Sequence, residues 1–360
     1  MTEATSTNRS SDVLIVGGGL DGLSAAAHAA PTGASITVLE KARELGRRGS
    51  TQNRDGFLLN QGRHALDPRS ETSFHRRVDY RNKVVIVTGA SSGIGLVTAR
   101  AFAARGATVM CVARRETLLK KLVKECRDSS PETTYLCGDL GERAFAERVV
   151  DKTVERFGRV DVLVNNAAVS KHKEIYHSSI EEAEWVMRVN YLSPVWLSFT
   201  AIPYMLRAGG GTIVNVSSMG GRIPPPREAL YAASKSALSA FSEGALADLE
   251  GSGIHVALVL PGAIDTEIWD KEDEPVGFIG KKYPPELVTD AILDAIENRR
   301  AEVIVPRFAP GLLAARFLQT FFPSFLRRAV ARTHPSQPDV IARARARAEN
   351  GKRLGDLSEG

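Results

Sequence analysis

Residues 84 to 95 read Val84-Val-Ile-Val-Thr88-Gly89-Ala-Ser-Ser-Gly93-Ile-Gly95, an apolar run that leads into a glycine-rich turn. The β-branched run predicts a buried strand, and the segment from Gly95 to Arg105 predicts a helix directly after the turn. Glycines between a strand and a helix N-terminus let backbone amides approach a phosphate group. This segment therefore predicts a nucleotide-binding α/β domain.

A second opening of the same design lies nearer the N-terminus. The apolar run at residues 13–16 leads into Gly17, Gly19 and Gly22, and the strand predicted after it ends in Glu40. Such glycines approach a pyrophosphate, and an acid about 20 residues further on binds an adenosine ribose. The order of these features is typical of a dinucleotide-binding unit.

Residues 12 to 66 resemble the start of flavin-dependent desaturases and amine oxidases of the phytoene-desaturase type. The resemblance rests on the first glycine-rich turn and on the segment from Glu40 to Gly62. A βαβ unit without further strands cannot cover both faces of a parallel sheet. We therefore interpret this unit as a truncated, fused remnant in which FAD binding is not favoured, with a fusion that also binds FAD as the alternative.

The composition is typical of a globular protein. Of 360 residues, 43% are hydrophobic and 25% are charged, and the formal net charge is +5. These values exclude a collagen-like, a disulfide-rich and a wholly disordered chain. The three cysteines are an odd number without metal-type spacing, which predicts reduced thiols and no metal site.

The sequence has no run of about 18 uncharged apolar residues, roughly the minimum for a membrane-spanning helix. Residues 1 to 12 lack the basic start and apolar core of a signal peptide. We therefore expect the protein in the cytoplasm, with association at a membrane surface as an alternative.

The glycine spacing at residues 89, 93 and 95 resembles that of the short-chain dehydrogenase/reductase family, from about Lys83 to Phe308. Further motifs support the resemblance in order: Asp139, Asn165-Asn166-Ala167-Ala168, Asn190, Ser218, and Tyr231 with Lys235. It implies a Rossmann-type doubly wound parallel sheet that binds a nicotinamide dinucleotide. It also implies a reaction that interconverts a carbonyl group and an alcohol.

Four side chains are predicted to carry the chemistry. Tyr231 and Lys235, at i and i+4, lie on the same face of a predicted helix, so the ammonium group favours the tyrosine phenolate. The resemblance implies that Tyr231 protonates the carbonyl oxygen and that Ser218 donates a second hydrogen bond. It also implies that Asn190 helps to hold a proton-relay water beside Lys235.

The resemblance further implies a set of residues that border the cofactor. They are Gly89, Ser91, Gly93, Ile94, Gly95, Arg114, Asp139, Leu140, Asn166, Ala167, Tyr231, Lys235, Pro261, Gly262, Ile264 and Thr266. Arg114 follows a predicted strand where an NAD-selective protein has an acid, and a guanidinium there suits a 2′-phosphate. We therefore predict NADP(H) in preference to NAD(H).

The chain is predicted to have four parts. Residues 1–66 form the truncated flavoprotein-like unit, 67–82 a linker, 83–308 the dehydrogenase/reductase domain, and 309–360 a helical, basic C-terminal extension. The charged segment from Glu267 to Tyr283 falls where the resembled family has a mobile substrate lid. Ile268, Trp269 and Phe278 are its candidate pocket residues.

Residues 308 to 328 contain five phenylalanines, interrupted by Pro323 and flanked by arginines. The favoured interpretation is an apolar helix pair that covers the pocket or a neighbouring subunit. The alternative is a peripheral membrane contact through residues 308–330, with arginines at the lipid head groups. A nucleic-acid partner is not predicted, because no aromatic residue is interleaved with the basic ones after Phe325.

Taken together, these motifs predict an NADP(H)-dependent oxidoreductase that interconverts a ketone or aldehyde and an alcohol. The apolar residues near the predicted lid favour a lipophilic small-molecule substrate, and the resemblance implies a homo-oligomer. The alternative of a different class is a catalytically silent nucleotide-binding scaffold.

Overall fold

The computed structural model describes residues 13–16, 36–39, 51–54, 57–60, 78–269, 280–307, 310–333 and 338–349. The chain divides into two compact units, Met1–His75 and Arg76–Gly360. The finer division into four parts, with boundaries at residues 66, 82 and 308, stays a prediction.

The first unit contains two separate pairs of strands. Strands β1 (Val13–Val16) and β2 (Ile36–Leu39) are parallel, as the predicted strand, helix, strand order requires, and β3 (Thr51–Arg54) is antiparallel to β4 (Phe57–Asn60). The residues predicted to bind a dinucleotide here lie outside the described residues. They are Gly17, Gly19, Gly22 and Glu40.

A seven-stranded sheet forms the centre of the second unit. Its strands are β5 (Val84–Thr88), β6 (Thr108–Ala113), β7 (Thr134–Cys137), β8 (Val162–Asn165), β9 (Gly211–Val216), β10 (Ile254–Pro261) and β11 (Glu302–Val305). The strands are all parallel, in the order β11-β10-β9-β8-β5-β6-β7. This arrangement confirms the predicted Rossmann-type α/β fold.

Helices cover both faces of this sheet. They are α1 (Gly93–Ala104), α2 (Glu116–Cys126), α3 (Arg143–Phe157), α4 (Ile180–Met187), α5 (Ser193–Arg207), α6 (Ala229–Asp248) and α7 (Glu286–Glu297). Alternate residues of one strand enter different cores: Val85 and Val87 pack with α1, α2 and α7, whereas Ile86 packs with α3 and α5. Because both faces are buried, the central strands are continuous apolar runs and do not alternate with polar residues.

The order of the strands decides where a ligand binds. From β5 the chain proceeds to β6 and β7 on one side of the sheet, and then to β8, β9, β10 and β11 on the other. The loops after β5 and β8 therefore leave in opposite directions and open a crevice at the carboxyl ends of these strands. In open parallel sheets, ligands bind at this switch point.

The predicted helical C-terminal region is present. It contains α8 (Pro310–Phe321), α9 (Pro323–Thr333) and α10 (Pro338–Glu349). Among the described residues, no helix has the length and hydrophobicity needed to cross a bilayer.

Candidate active site

The glycine-rich turn after β5 packs against the end of β8 with no room for side chains. Gly89 has φ +69°, and a Cβ atom there would lie 2.9 Å from the Cα atom of Ala167. A Cβ atom on Gly95 would lie 2.3 Å from the carbonyl oxygen of Gly89. The turn is thus a backbone cradle at a helix N-terminus, which fits the pyrophosphate of a dinucleotide.

The hydroxyl group of Thr88 holds the cradle in place. It donates to the carbonyl oxygen of Val164 (3.1 Å) and accepts from the backbone N–H groups of Asn166 (2.9 Å) and Ala167 (3.0 Å). The side-chain amide of Asn166 in turn donates to the carbonyl oxygen of Thr88 (2.9 Å). These bonds join the ends of β5 and β8 where the two strands separate.

A cavity of about 1130 Å³ opens at this edge of the sheet. The predicted site residues that line it are Gly89, Ser91, Ile94, Arg114, Asp139, Leu140, Asn166, Ala167, Ser218, Tyr231, Lys235, Pro261, Gly262, Ile264 and Thr266. Three others, Gly93, Gly95 and Asn190, do not form part of its wall. The structure therefore brings together most residues of the predicted cofactor and reaction sites.

Lys235 is almost completely buried in α6, with 2% of its surface exposed. Its ammonium group donates to the carbonyl oxygen of Val216 (2.8 Å) and lies 5.9 Å from the centre of the Tyr231 ring. Burial lowers the pKa of Lys235 to about 7, because a desolvated ammonium group is disfavoured. This amine therefore titrates near neutral pH.

Tyr231 lines the cavity together with Ser218 and Glu228, and both of these residues act on its phenol. Burial raises the pKa of its phenol to about 12, a hydrogen bond with Ser218 lowers it, and the negative charge of Glu228 raises it. The Ser218 oxygen also accepts from the backbone N–H of Gly220 (3.0 Å), which leaves its proton for another acceptor. Both residues thus line the cavity, and each hydroxyl group has a defined hydrogen-bond partner.

Asn190 is fully buried in a π-helical segment, Arg188–Leu192, between α4 and α5. Its side-chain oxygen accepts from the backbone N–H of Val169 (2.8 Å), and its amide nitrogen donates to the carbonyl oxygen of Val169 (2.9 Å) and to the Ser234 hydroxyl (3.0 Å). Asn190 therefore connects the loop after β8 with α6.

His172 is a polar residue of the wall that the sequence motifs did not predict. His172 lies 3.3 Å from the Glu228 carboxylate and 2.9 Å from the Ser170 hydroxyl. Its ring stacks on Trp269 (5.8 Å between centroids) and meets the Tyr231 ring edge-on (6.4 Å). No local motif marks His172, since of these partners Ser170 alone is close in the chain, and Glu228, Tyr231 and Trp269 come from distant segments.

Arg115 was also missed, although its neighbour Arg114 was predicted. Its guanidinium donates to the hydroxyls of Ser91 (3.2 Å) and Ser92 (2.6 Å) in the glycine-rich turn and pairs with Glu267 (2.8 Å). Arg114 is exposed at the cavity rim. Two adjacent guanidinium groups therefore lie near the end of β6, and one of them holds the turn.

The segment after β10 closes part of the cavity. Ile268 and Trp269 line it, as predicted, and the Trp269 indole donates to the carbonyl oxygen of Ile264 (2.6 Å). The chain returns at Tyr283, which pairs with Ile264 in an isolated parallel bridge. Phe278, the third predicted pocket residue, lies outside the described residues.

Comparison with known proteins agrees with this geometry. A family model described as short chain dehydrogenase matches residues 83–276, and one described as NAD(P)-binding Rossmann-like domain matches residues 15–79. The chain is thus similar to nicotinamide-dependent oxidoreductases along most of its length.

Individual relatives support the same conclusion. The uncharacterized oxidoreductase YxnA of Bacillus subtilis is 33% identical over 62% of this chain and 65% of its own length. Dehydrogenase/reductase SDR family member 7B of Danio rerio is 31% identical over 77% of this chain and 90% of its own length. The 11-beta-hydroxysteroid dehydrogenase A of Sesamum indicum is 39% identical over 53% of this chain and 55% of its own length. The match thus spans slightly under two thirds of the Bacillus protein and about half of the Sesamum protein.

The substitution Gly95→Ala should disrupt the cradle. Its methyl group would lie 2.3 Å from the Gly89 carbonyl oxygen, so the backbone of the cradle must shift. Such crowding costs about 1–3 kcal/mol. If the cofactor binds to the undistorted cradle, the Kd for NADPH or NADH should rise about tenfold or more. Titration of cofactor fluorescence measures this. Gly244→Ala is the control, because a Cβ atom there has nothing within 4 Å; an equal change in both variants would contradict the assignment.

Proposed function

The chain belongs to the short-chain dehydrogenase/reductase family, and from that premise we propose that it interconverts a ketone or aldehyde and an alcohol with NADP(H). The family and the relatives support an oxidoreductase that acts on CH–OH groups with a nicotinamide dinucleotide. The observation that carries the proposal is the position of Tyr231 in the cavity wall, beside Ser218 and one helical turn before Lys235.

In the direction of reduction, Tyr231 gives its proton to the carbonyl oxygen. A nicotinamide held in the cavity would supply a hydride to the carbonyl carbon. With the proton from Tyr231, the substrate would gain two electrons and two protons in total, which converts the carbonyl into an alcohol. Ser218 donates a second hydrogen bond to the same oxygen, which stabilises the charge that develops there. Oxidation of an alcohol uses the same groups in reverse, with the Tyr231 phenolate as the base.

Lys235 makes this proton transfer accessible at neutral pH. In its charged form the ammonium group stabilises the nearby phenolate, which opposes the effect of burial on the pKa of Tyr231. Asn190 bonds both the loop after β8 and α6. We propose that it also helps to hold a proton-relay water beside Lys235.

NADP(H) is the cofactor we propose. Arg114 and Arg115 place two positive charges near the end of β6, where no acidic side chain follows the strand directly. A guanidinium group binds a phosphate by charge-assisted hydrogen bonds. Arg114 is assigned to the 2′-phosphate, and Arg115 keeps the glycine-rich turn in place through Ser91 and Ser92.

The substrate we propose is a lipophilic carbonyl compound or alcohol. Away from Tyr231 the cavity wall is mainly apolar, with Val169, Met219, Ile223, Ile268 and Trp269 among its members. A homo-oligomer remains part of the proposal by resemblance to the family. A catalytically silent scaffold is the competing function, and the substitution Tyr231→Phe separates the two.

The substitution Tyr231→Phe should remove the proton donor and leave the cofactor site intact. We expect turnover of ketones to fall by about 10²–10⁴-fold, with the Kd for NADPH nearly unchanged. The rate is followed at the nicotinamide absorbance, with Tyr204→Phe, at the surface phenol that bonds Asp151, as control. Undiminished activity in Tyr231→Phe would refute the mechanism, and no turnover by the unmodified chain with any carbonyl would favour the scaffold.

The substitution Glu228→Gln should shift the pH profile of alcohol oxidation. Oxidation needs the Tyr231 phenolate, so its rate rises with pH through the pKa of this residue. The Glu228 charge raises that pKa, and its removal lowers it, so the rising limb of kcat/KM should move to lower pH. Glu250→Gln, distant from the cavity, should leave the limb unmoved; a shift to higher pH in Glu228→Gln would be incompatible with this account.

The two arginines should differ in their effect on cofactor selectivity. Arg114→Ala should weaken NADPH binding about tenfold or more, with little effect on NADH, because charge-assisted hydrogen bonds contribute about 1.5–3 kcal/mol. Arg115→Ala should weaken both cofactors, because it releases Ser91 and Ser92. Binding is measured by fluorescence titration, with the exposed Lys124→Ala as control. Equal losses for both cofactors in Arg114→Ala would show that this residue does not select NADP(H).

A further inference from the structure

Helices α8 and α9 carry apolar side chains on their inner surface. Their half-buried positions are Ala315, Leu318, Leu326 and Val330, spaced three or four residues apart within each helix. Ala315 and Val330 line the cavity that holds Tyr231. The helix pair therefore forms part of the cavity wall, as the favoured interpretation of a segment that covers the pocket expects. Its other form, a segment that covers a neighbouring subunit, stays a prediction.

The outer surface of the same helices is also apolar. Phe317, Phe321, Phe322 and Phe325 have 56%, 64%, 55% and 63% of their surface exposed. The ring of Phe317 lies 4.8 Å from that of Phe321 and 6.4 Å from that of Phe322, measured between centroids. We call these four residues the phenylalanine patch. A helix that is apolar on two sides needs a second apolar neighbour, and a contiguous exposed patch marks an interaction site.

The patch is attached to the part of the domain that holds the candidate active site. The side-chain amide of Gln319, on α8, donates to the carbonyl oxygen of Arg222 (2.6 Å). Arg222 follows the turn Met219–Gly221, which begins directly after Ser218. Helix α8, which carries Phe317 and Phe321, is therefore bonded to the segment that follows Ser218 in the cavity wall.

The charge around the patch indicates the chemistry of its partner. Residues 310–333 contain four arginines and no acidic residue. Arg327, Arg328 and Arg332 are exposed on α9. Aromatic side chains bordered by arginines fit an anionic lipid surface, where the rings enter the interface and the guanidinium groups meet the phosphates. A second copy on a two-fold axis would instead bring the two sets of arginines together, which is unfavourable.

We propose that the phenylalanine patch and its arginines dock the protein on an anionic lipid surface, with the cavity mouth beside the bilayer. A lipophilic carbonyl compound then passes from the membrane into the cavity without crossing water. This second step rests on the proposed function, whereas the docking itself does not.

Vesicle flotation with the full chain tests the docking. We expect binding to vesicles of phosphatidylcholine and phosphatidylglycerol, weaker binding to phosphatidylcholine alone, and weakening by salt because charged contacts are screened. The double substitution Phe321→Ser with Phe325→Ser should reduce binding about tenfold or more. It removes two aromatic rings whose transfer from water into the lipid interface is favourable. Phe199→Ser is the matched control, because Phe199 is also 63% exposed but lies on α5.

A charge variant tests the second half of the proposal. Arg327→Gln with Arg328→Gln should remove the preference for phosphatidylglycerol, whereas Lys124→Gln on α2 should not. Failure of the unmodified chain to bind either vesicle, or an equal loss in Phe199→Ser, would overturn the proposal. A dimer in analytical ultracentrifugation that Phe321→Ser with Phe325→Ser dissociates, without lipid binding, would assign the patch to a second copy and overturn it as well.

Activity measurements separate this proposal from the proposed function. The patch variants should reduce a water-soluble ketone at the unmodified rate, because their side chains lie outside the cavity wall, and should lose rate only with a ketone dissolved in the vesicles. Vesicle binding without turnover of any ketone would refute the proposed function and leave the docking in place. Equal rates of all variants with the vesicle-dissolved ketone would overturn delivery from the membrane.

Discussion

The hydrogen bonds of the Thr88 hydroxyl are the interaction on which the site depends. At the carboxyl ends of β5 and β8 the chain leaves the sheet in opposite directions, so the ladder of backbone hydrogen bonds between them must end. Thr88 satisfies two N–H groups and one carbonyl group at this break. Because an unpaired buried N–H is costly, these bonds also keep Asn166 and Ala167 against Gly89, which gives the cradle its shape.

The same buried surroundings set the chemistry of the cavity. Burial raises the pKa of Tyr231 to about 12 and lowers that of Lys235 to about 7, so each charged form is disfavoured when it stands alone. A phenolate and an ammonium group at this separation stabilise each other, and a low dielectric strengthens that attraction. An attraction of this kind is weaker for a solvent-exposed pair, because water screens the two charges.

Local sequence patterns predicted the strands and the motif residues, because these features depend on residues that are close together in the chain. The apolar run from Val84 to Val87 predicted the central strand β5, and the ordered motifs predicted Ser218, Tyr231 and Lys235, which the structure brings together in the wall of one cavity. Long-range contacts escaped prediction. His172 contacts Glu228, a residue 56 positions away. Arg115, and not Arg114, is shown to hold the glycine-rich turn, and this depends on the backbone at the start of α2.

Different segments of the chain supply the reacting groups and the apolar wall of the cavity. The groups to which we assign proton transfer follow β9 and lie on α6, and the strands of the sheet are fixed by both cores. The mainly apolar remainder of the wall comes from segments outside the sheet: the stretch after Ser218, the segment around Trp269, and helices α8 and α9. A rigid sheet holds reacting groups in place, whereas loops and added helices tolerate change. Under the proposed function, the choice of substrate can therefore vary with the outer segments while the groups assigned to proton transfer at the sheet edge stay the same.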